Sequence, residues 1–395
     1  MAKHSISIKN DDLTEDQKMI YNSPIELGKN ILVEGGPGTG KTTLLFLIAQ
    51  KIKNQGLDFR IITLQNNLKN FLKDSFGDLD KHVINAWGTS DIEENPDKQG
   101  LMFNKIIPFL DKDFPTGGTF FHKTKNDKYR NDLMLELLKK AKEYTNGKKF
   151  KDEIILVDEA QDLPPVYFEI LKLFFKNVYV FGDKNQQIND WGTEINDLIQ
   201  ILNINIQNRY YLNINFRNSV QIYNFAKLTG ITDGNLEVIN RGGKVEIIIG
   251  DYDEVKEIKK IILDNIGNNI AIITNYYDQN KYNEIKNVQI VNSNKEYIKL
   301  DTYDNFCLHW KNNKGLEFDI VILIGFIEEQ FFTKEMYVSI TRTGYNKRNN
   351  TGWKLYVLDN NIKNYLKLEN NSNFNITNKN NIEEEIYIED TPFYF

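Results

Sequence analysis

The chain has one cysteine, Cys307, in 395 residues. Its four histidines, His4, His82, His122 and His309, are scattered without the close spacing of metal ligands. A lone cysteine excludes a disulfide framework and a cysteine-cluster metal site. Long apolar runs are also missing. The longest, Ile320–Ile327, falls far short of the ~20 residues of a membrane-spanning helix and reads as a buried strand. The N-terminal stretch has no apolar segment of the secretory type. Neither sign of charge dominates: 49 Lys and Arg oppose 55 Asp and Glu, a net charge of −6, which argues against a passive nucleic-acid coat. These absences lead to the expectation of a soluble, cytoplasmic protein with no membrane partner.

What is present is enough apolar and aromatic material, 41% and 12%, for real cores, in a length that suits two or three domains. Short β-branched runs at Ile31–Val33, Arg60–Thr63, Ile154–Val157 and Val178–Phe181 read as buried strands. The long crossovers between them predict a parallel sheet with helices on both faces. A second set follows at Val245–Ile249, Ile270–Thr274, Ile320–Ile324 and Lys354–Leu358, with a helical pattern over Asp253–Leu263. The fold class expected is therefore α/β, with two domains in tandem. Residues 96–151 interrupt the first set and carry 13 Lys and Arg against 7 Asp and Glu, a basic insertion. An Asn-rich stretch and an acidic-aromatic end, NIEEEIYIEDTPFYF, close the chain over 361–395.

Residues Gly35 to Thr42, GGPGTGKT, fit G-x-x-x-x-G-K-[ST]. They follow one predicted strand and open a helical pattern, Thr42–Lys53. The backbone N–H groups of Gly36, Gly38, Thr39 and Gly40, with those of Lys41, Thr42 and Thr43 at the helix N-terminus, suit a phosphate chain. Lys41 is a point charge for the outer phosphates of ATP, and the Thr42 hydroxyl can face Mg²⁺. A second strand ends in Asp158-Glu159, two carboxylates where α/β sheets bind ligands. There Asp158 is the expected Mg²⁺ ligand, and Glu159 the group that orients or deprotonates an attacking water.

Around these two elements the chain resembles the UvrD/Rep/PcrA-like superfamily 1 helicases, with motifs in family order across residues 12–345. Leu13-Thr14-Glu15-Asp16-Gln17 is similar to the adenine-reading Q motif, and Thr63-Leu64-Gln65-Asn66 to motif Ia. Asn85-Ala86-Trp87-Gly88 stands where the family has a Thr-Phe-His-Ser type segment. Asp158–Asp162 resembles motif II, Gly182–Gln187 motif III, and Asn215-Phe216-Arg217 motif IV. Lys314–Asp319 resembles motif V and Tyr337–Arg342 motif VI.

The resemblance implies two tandem RecA-like P-loop NTPase domains with ATP in the cleft between them. It implies that Gln17 reads adenine, Phe216 stacks on the base, Glu317 contacts the ribose, Gln186 senses the γ-phosphate, and Arg217 and Arg342 reach that phosphate from the second domain. It implies an ATP hydrolase that moves on single-stranded DNA, 3′ to 5′, through contacts at Asn66, Trp87, Trp191 and Lys311. For each tryptophan the alternative is an ordinary place in the core. Three departures bear on that track: Asn189 and Asp190 replace a Tyr and an Arg and Leu64 replaces a Phe, which removes stacking surface and a cation, while Lys311, in a His position, can still bind a phosphate.

The expected layout is a first domain (1A) over 1–92 and 151–212, a small helical 1B-like insertion over 93–150, a second domain (2A) over 213–360, and a linker and tail over 361–395. Only 97 residues separate Arg217 from Lys314, which leaves no room for the large 2B subdomain of the bigger relatives. A second function therefore stays open: an ATP-switched regulatory or assembly subunit with little autonomous unwinding, docked to a protein partner through tail residues 381–395.

Overall fold

The computed structural model describes residues 13–64, 77–88, 100–111, 127–146, 151–187, 190–231, 236–275, 279–291, 305–326, 334–346, 351–359 and 374–379. The first domain is built on a six-stranded sheet of β1 (Ile31–Gly35), β2 (Phe59–Thr63), β3 (Val83–Asn85), β4 (Lys151–Val157), β5 (Phe175–Gly182) and β6 (Arg209–Leu212). All of its pairings are parallel, in the order β3-β2-β4-β5-β1-β6. A two-stranded parallel ribbon follows, β7 (Ile214–Ser219) with β8 (Glu237–Asn240).

The second domain holds β9 (Lys244–Ile249), β10 (Ile270–Thr274), β11 (Val288–Val291), β12 (Asn305–His309), β13 (Ile320–Ile324), β16 (Lys354–Asp359) and β17 (Asn375–Asn378). A small hairpin, β14 (Tyr345–Asn346) with β15 (Thr351–Gly352), precedes β16. The seven strands are again parallel, in the order β11-β12-β10-β13-β16-β9-β17. The architecture is two parallel-sheet α/β domains in tandem.

The apolar runs read as strands are buried on both faces, because side chains alternate across a sheet with period two. Ile31 and Val33 face one core with Ile154, Leu156, Tyr179 and Phe181, under α1 (Glu15–Asn22) and α2 (Lys41–Asn54). Their neighbours Leu32, Ile155, Val157, Val178 and Val180 face the opposite core, which includes Tyr167, Phe168 and Leu171 of the helix Pro165–Phe174. In the second domain Ile320, Ile322 and Ile324 line one core, while Val321 and Leu323 line the other.

Two features differ from expectation. Leu101, Met102, Phe103, Leu133, Met134, Leu137 and Leu138, from the segment read as a separate basic insertion, belong to the same core cluster as the first sheet. The last four lie on the helix Asp127–Thr145, which buries them while Lys139 and Lys142 face outward. In addition, β17 lies in the stretch read as linker. It extends the second sheet alongside β9, with Phe374 edge-on to Phe225 at 5.1 Å. The expected tail contact at 381–395 lies outside the described residues. Among those residues, no helix is long and apolar enough to cross a membrane.

Candidate functional site

The strand order decides what meets at the carboxyl edge of the first sheet. With β4, β5 and β1 adjacent, the segments leaving each of them converge: Asp158 after β4, Asp183 after β5 and the glycine-rich loop after β1. The loop needs its glycines. Gly38 (φ 68°) and Gly40 (φ 81°) are in the left-handed region. A Cβ on Gly38 would stand 2.5 Å from the Cβ of Arg217. A Cβ on Gly40 would stand 2.8 Å from Nε2 of Gln17.

Lys41 is 8% exposed and folds back on the loop. Its ammonium donates to the carbonyls of Gly35 at 2.6 Å and Gly36 at 2.9 Å, with Asp183 at 3.9 Å. A phosphate seated in the loop would compete for that ammonium. Thr42 donates its hydroxyl to Asp158 at 2.8 Å. Burial holds the Asp158 carboxyl well above the usual carboxylate range, and the adjacent Glu159 charge pushes the same way. Glu159 moves the other way. Burial would raise it too, but the Lys314 and Lys41 charges beside it outweigh that and keep it ionised.

A half-buried hydroxyl touching a buried carboxyl beside a phosphate loop is a hard-oxygen pair that fits Mg²⁺, whose remaining ligands would be phosphate oxygens and water. Thr42 and Asp158 would hold the ion, which would supply charge neutralisation at the phosphates. Among the described residues no group of three or more His, Cys, Asp or Glu side chains gathers as an all-protein metal cage.

Glu159 has φ 51°, ψ 44°, a left-handed backbone on a non-glycine residue. Gln161 fixes the Glu159 carboxylate, donating to it from Nε2 at 2.7 Å while its own Oε1 accepts the backbone N–H of Asp183 at 3.0 Å. Gln186 donates to Asp183 at 2.6 Å. One hydrogen-bonded chain thus joins the two acidic turns.

The second domain closes over this edge. Arg342, 1% exposed, hydrogen-bonds through Nη2 to Oε1 of Gln186, and its Nε donates to the carbonyl of Val338 at 3.0 Å. Burial, followed by the nearby Arg217 charge, pushes the Arg342 guanidinium down to about 10, so it stays cationic at neutral pH. Lys314 crosses the same gap to Asp162 at 2.5 Å, the carbonyl of Gln186 at 2.6 Å and Glu159 at 3.5 Å. Burial alone would lower the Lys314 ammonium, but the Asp162 and Glu159 charges more than offset it and hold it above its ordinary range. Arg217 pairs with Glu317 at 2.8 Å, and the backbone N–H of Phe216 donates to the carbonyl of Gly38 at 3.0 Å. Phe216 leaves 40% of its surface exposed beside the loop.

The remaining expected positions divide. Gln17 lies at the loop, but both ends of its amide are engaged: Oε1 accepts from the Thr14 N–H at 3.1 Å and Nε2 donates to the Thr39 carbonyl at 3.0 Å. It caps α1 and braces the loop. Trp87 is a correction. It is 2% exposed, ringed by Phe103, Tyr167 and Trp191 at 5.3–6.1 Å, and takes the core alternative. Trp191 is half-buried against it. Lys311 is exposed, with its ammonium 5.4 Å from the Trp310 ring. Asn66 lies outside the described residues.

Sequence reasoning did not single out Asp183, Asp162 or Lys314 as site residues. For Asp183 the signal was an acid at the end of an apolar strand. For Lys314 and Asp162, no local pattern announces a pairing across two domains.

A family model described as an AAA domain matches residues 22–191. No curated protein matches the chain. Among solved structures, the chain is similar to arterivirus nonstructural protein 10, a helicase, at 14% identity and a TM-score of 0.41, covering 87% of this chain and 61% of that one. It is similar to the PRRSV helicase at 12% identity and a TM-score of 0.41, covering 87% and 54%. The complex of the arterivirus protein with DNA gives 14% identity and a TM-score of 0.41, covering 84% and 61%. The chain thus spans between half and two thirds of the length of these proteins.

Proposed function

We propose that the chain is a nucleic-acid-stimulated ATPase of the superfamily 1 helicase type, hydrolysing ATP in the cleft between its two RecA-like domains. The observation that carries this is the set of contacts across the cleft. Arg342 meets Gln186, and Lys314 meets Asp162 and Glu159, directly above the phosphate loop. Cations from the second domain therefore stand where an outer phosphate would lie, and its loss would release them.

In this proposal Lys41, Arg217 and Arg342 bind the phosphate charge. Glu159, kept ionised by Lys314 and oriented by Gln161, holds the attacking water and takes its proton. Gln186, hydrogen-bonded to both Asp183 and Arg342, reports the phosphate state to the second domain. A positioned arginine of this kind is worth about 10³–10⁵ in rate. The opening and closing that follows is the stroke of a translocase on single-stranded nucleic acid, DNA with 3′ to 5′ polarity by family resemblance.

The test is ATP turnover with and without single- and double-stranded DNA and RNA. The expected result is Mg²⁺-dependent turnover, stimulated by single strands and lost in Lys41→Ala. Turnover with a stimulation ratio near one on every nucleic acid would count against the motor.

One observation favours a second reading, an ATP-switched assembly subunit. Trp87 has no free face for a base, and Asp190 puts an acid beside Trp191. Both features weaken a strand track while leaving the ATP cleft intact. Under that reading, ATP and not nucleic acid would govern binding of a protein partner.

A further inference from the structure

The ribbon β7–β8 breaks register between Asn215 and Ser219, across Phe216, Arg217 and Asn218. A break of this kind frees backbone groups and re-aims side chains. Here each freed group has a specific partner. The Arg217 N–H donates to the Asn215 side chain at 2.9 Å. The Arg217 carbonyl accepts from the indole N–H of Trp353 at 2.6 Å. Asn240 donates to the carbonyls of Phe216 at 2.8 Å and Asn218 at 3.1 Å. Arg217 is thus held by side chains and not by a strand ladder.

Asn218 is fully buried and reaches further. Its Oδ1 accepts from Asn215 Nδ2 at 3.0 Å. Its own Nδ2 donates to the carbonyls of Thr343 at 2.8 Å and Thr341 at 3.3 Å. Those are the residues on either side of Arg342. One buried amide therefore ties the backbone next to the first arginine to the backbone flanking the second.

Trp353 supplies an independent sign. It has φ 52°, a backbone conformation that a bulky residue adopts only when its surroundings over-determine it. The surroundings do so. Its N–H donates to the Gly344 carbonyl at 2.9 Å, its carbonyl accepts from the Lys244 N–H at 2.8 Å, and a Cβ on Gly243 would come within 2.9 Å of it. The strained turn delivers the indole N–H to Arg217. The Arg217 charge also depresses Arg342, so the two guanidinium groups sense one another.

We propose that Asn218 and Trp353 are positioning residues that hold Arg217 and Arg342 as one pair, so that both cations approach and leave the nucleotide together. Neither residue would touch ATP. The proposal rests on the cleft being the ATP site, and it adds that the arginines act as a unit set by two residues behind them.

The test compares the chain with Trp353→Phe, which keeps an aromatic ring and removes the indole N–H, and with Asn218→Asp, which keeps the shape and removes the donor. Three quantities are measured: kcat for ATP, affinity for ADP, and the effect of each change in an Arg217→Ala background. A displacement of about 1 Å at a catalytic group costs up to ~10²-fold, so kcat is expected to fall about 10- to 100-fold in each variant. ADP lacks the γ-phosphate, so its affinity is expected to stay within about twofold. In Arg217→Ala, Trp353→Phe is expected to add less than about threefold, because the residue it positions has gone. A merely structural role would lower ADP affinity and multiply with Arg217→Ala. That result, or a wild-type kcat in Trp353→Phe, overturns the proposal. If Asn218→Asp does not fold, Trp353→Phe alone decides. Wild-type protein with no ATP turnover on any nucleic acid would overturn the ATPase reading itself, and with it the ground of this inference.

Discussion

Lys314 and Asp162 lie 2.5 Å apart, each with about 1% of its side chain exposed, and come from different domains. Two charges this deeply buried are costly to desolvate, and their attraction repays the cost only while both are present. The pair therefore ties closure of the cleft to the acidic turn that holds Glu159, which Lys314 also reaches at 3.5 Å.

Breaking that pair is expected to be severe. Lys314→Met removes the cation that balances the buried Asp162 and Glu159 carboxylates, at a cost of about 3–5 kcal/mol. Thermal and urea unfolding would measure it. The double variant Lys314→Met with Asp162→Asn is expected to recover much of the stability but not the turnover, because Glu159 still lacks its cation. Full recovery of turnover would argue that the pair serves the fold alone.

Glu159→Gln separates chemistry from binding. The side chain keeps its shape and its contact with Gln161, so ATP affinity is expected to change little while single-turnover hydrolysis falls at least ~10²-fold. Rapid-quench measurements would check this. Unimpaired hydrolysis would remove Glu159 from the mechanism.

The base-binding surface is expected to be tolerant. Phe216 offers an exposed face, whereas the Gln17 amide is already engaged at both ends. Phe216→Ala is expected to raise KM for ATP and GTP alike, with stability changed by less than about 0.5 kcal/mol. Gln17→Ala is expected to weaken both nucleotides through the loop it braces, without changing their ratio. A selective loss of ATP over GTP would show that Gln17 turns to read adenine once the nucleotide enters.

The two tryptophans are expected to part company. Trp87→Ala empties a buried site and is expected to cost about 3–5 kcal/mol. Trp191→Phe keeps most of its packing, so a loss of single-strand affinity with an unchanged melting temperature would mark Trp191 as the surface residue. Unchanged affinity would leave the strand track without an aromatic from this pair.

His309 makes a prediction about pH. Burial first, and the Lys311 charge second, lower its imidazole from 6.5 to about 4. Its Nδ1 accepts the Lys311 N–H at 3.3 Å, which needs the neutral ring. A depressed folded-state value means that the unfolded chain takes up the proton first. Stability from this residue is therefore present above pH ~6.5 and is lost as the pH falls towards ~4. His309→Gln is expected to flatten the melting-temperature profile across that window only. An unchanged profile would place the acid sensitivity in other groups.

Several parts of this protein were legible from sequence because their signals are local. The runs Ile31–Val33 and Ile320–Ile324 are continuously apolar, and a run buried on both faces needs no partner to announce itself. The phosphate loop is legible for the same reason: its glycines, Lys41 and Thr42 act within eight residues of backbone. The ribbon β7–β8 and the edge strand β17 were not legible. They mix polar and apolar residues without a continuous apolar run, and only pairing with a neighbour makes them strands.

The tertiary structure alone decided the rest. It put Trp87 in the core, because the helices around it supply Phe103 and Tyr167 as partners. It brought Lys314 to Asp162, and Asn218 to both sides of Arg342, across separations of more than a hundred residues. Composition and periodicity determine which residues leave water. Which buried charges and amides then meet is set by how the two domains come together at the carboxyl edge of the first sheet, and no local pattern carries that information.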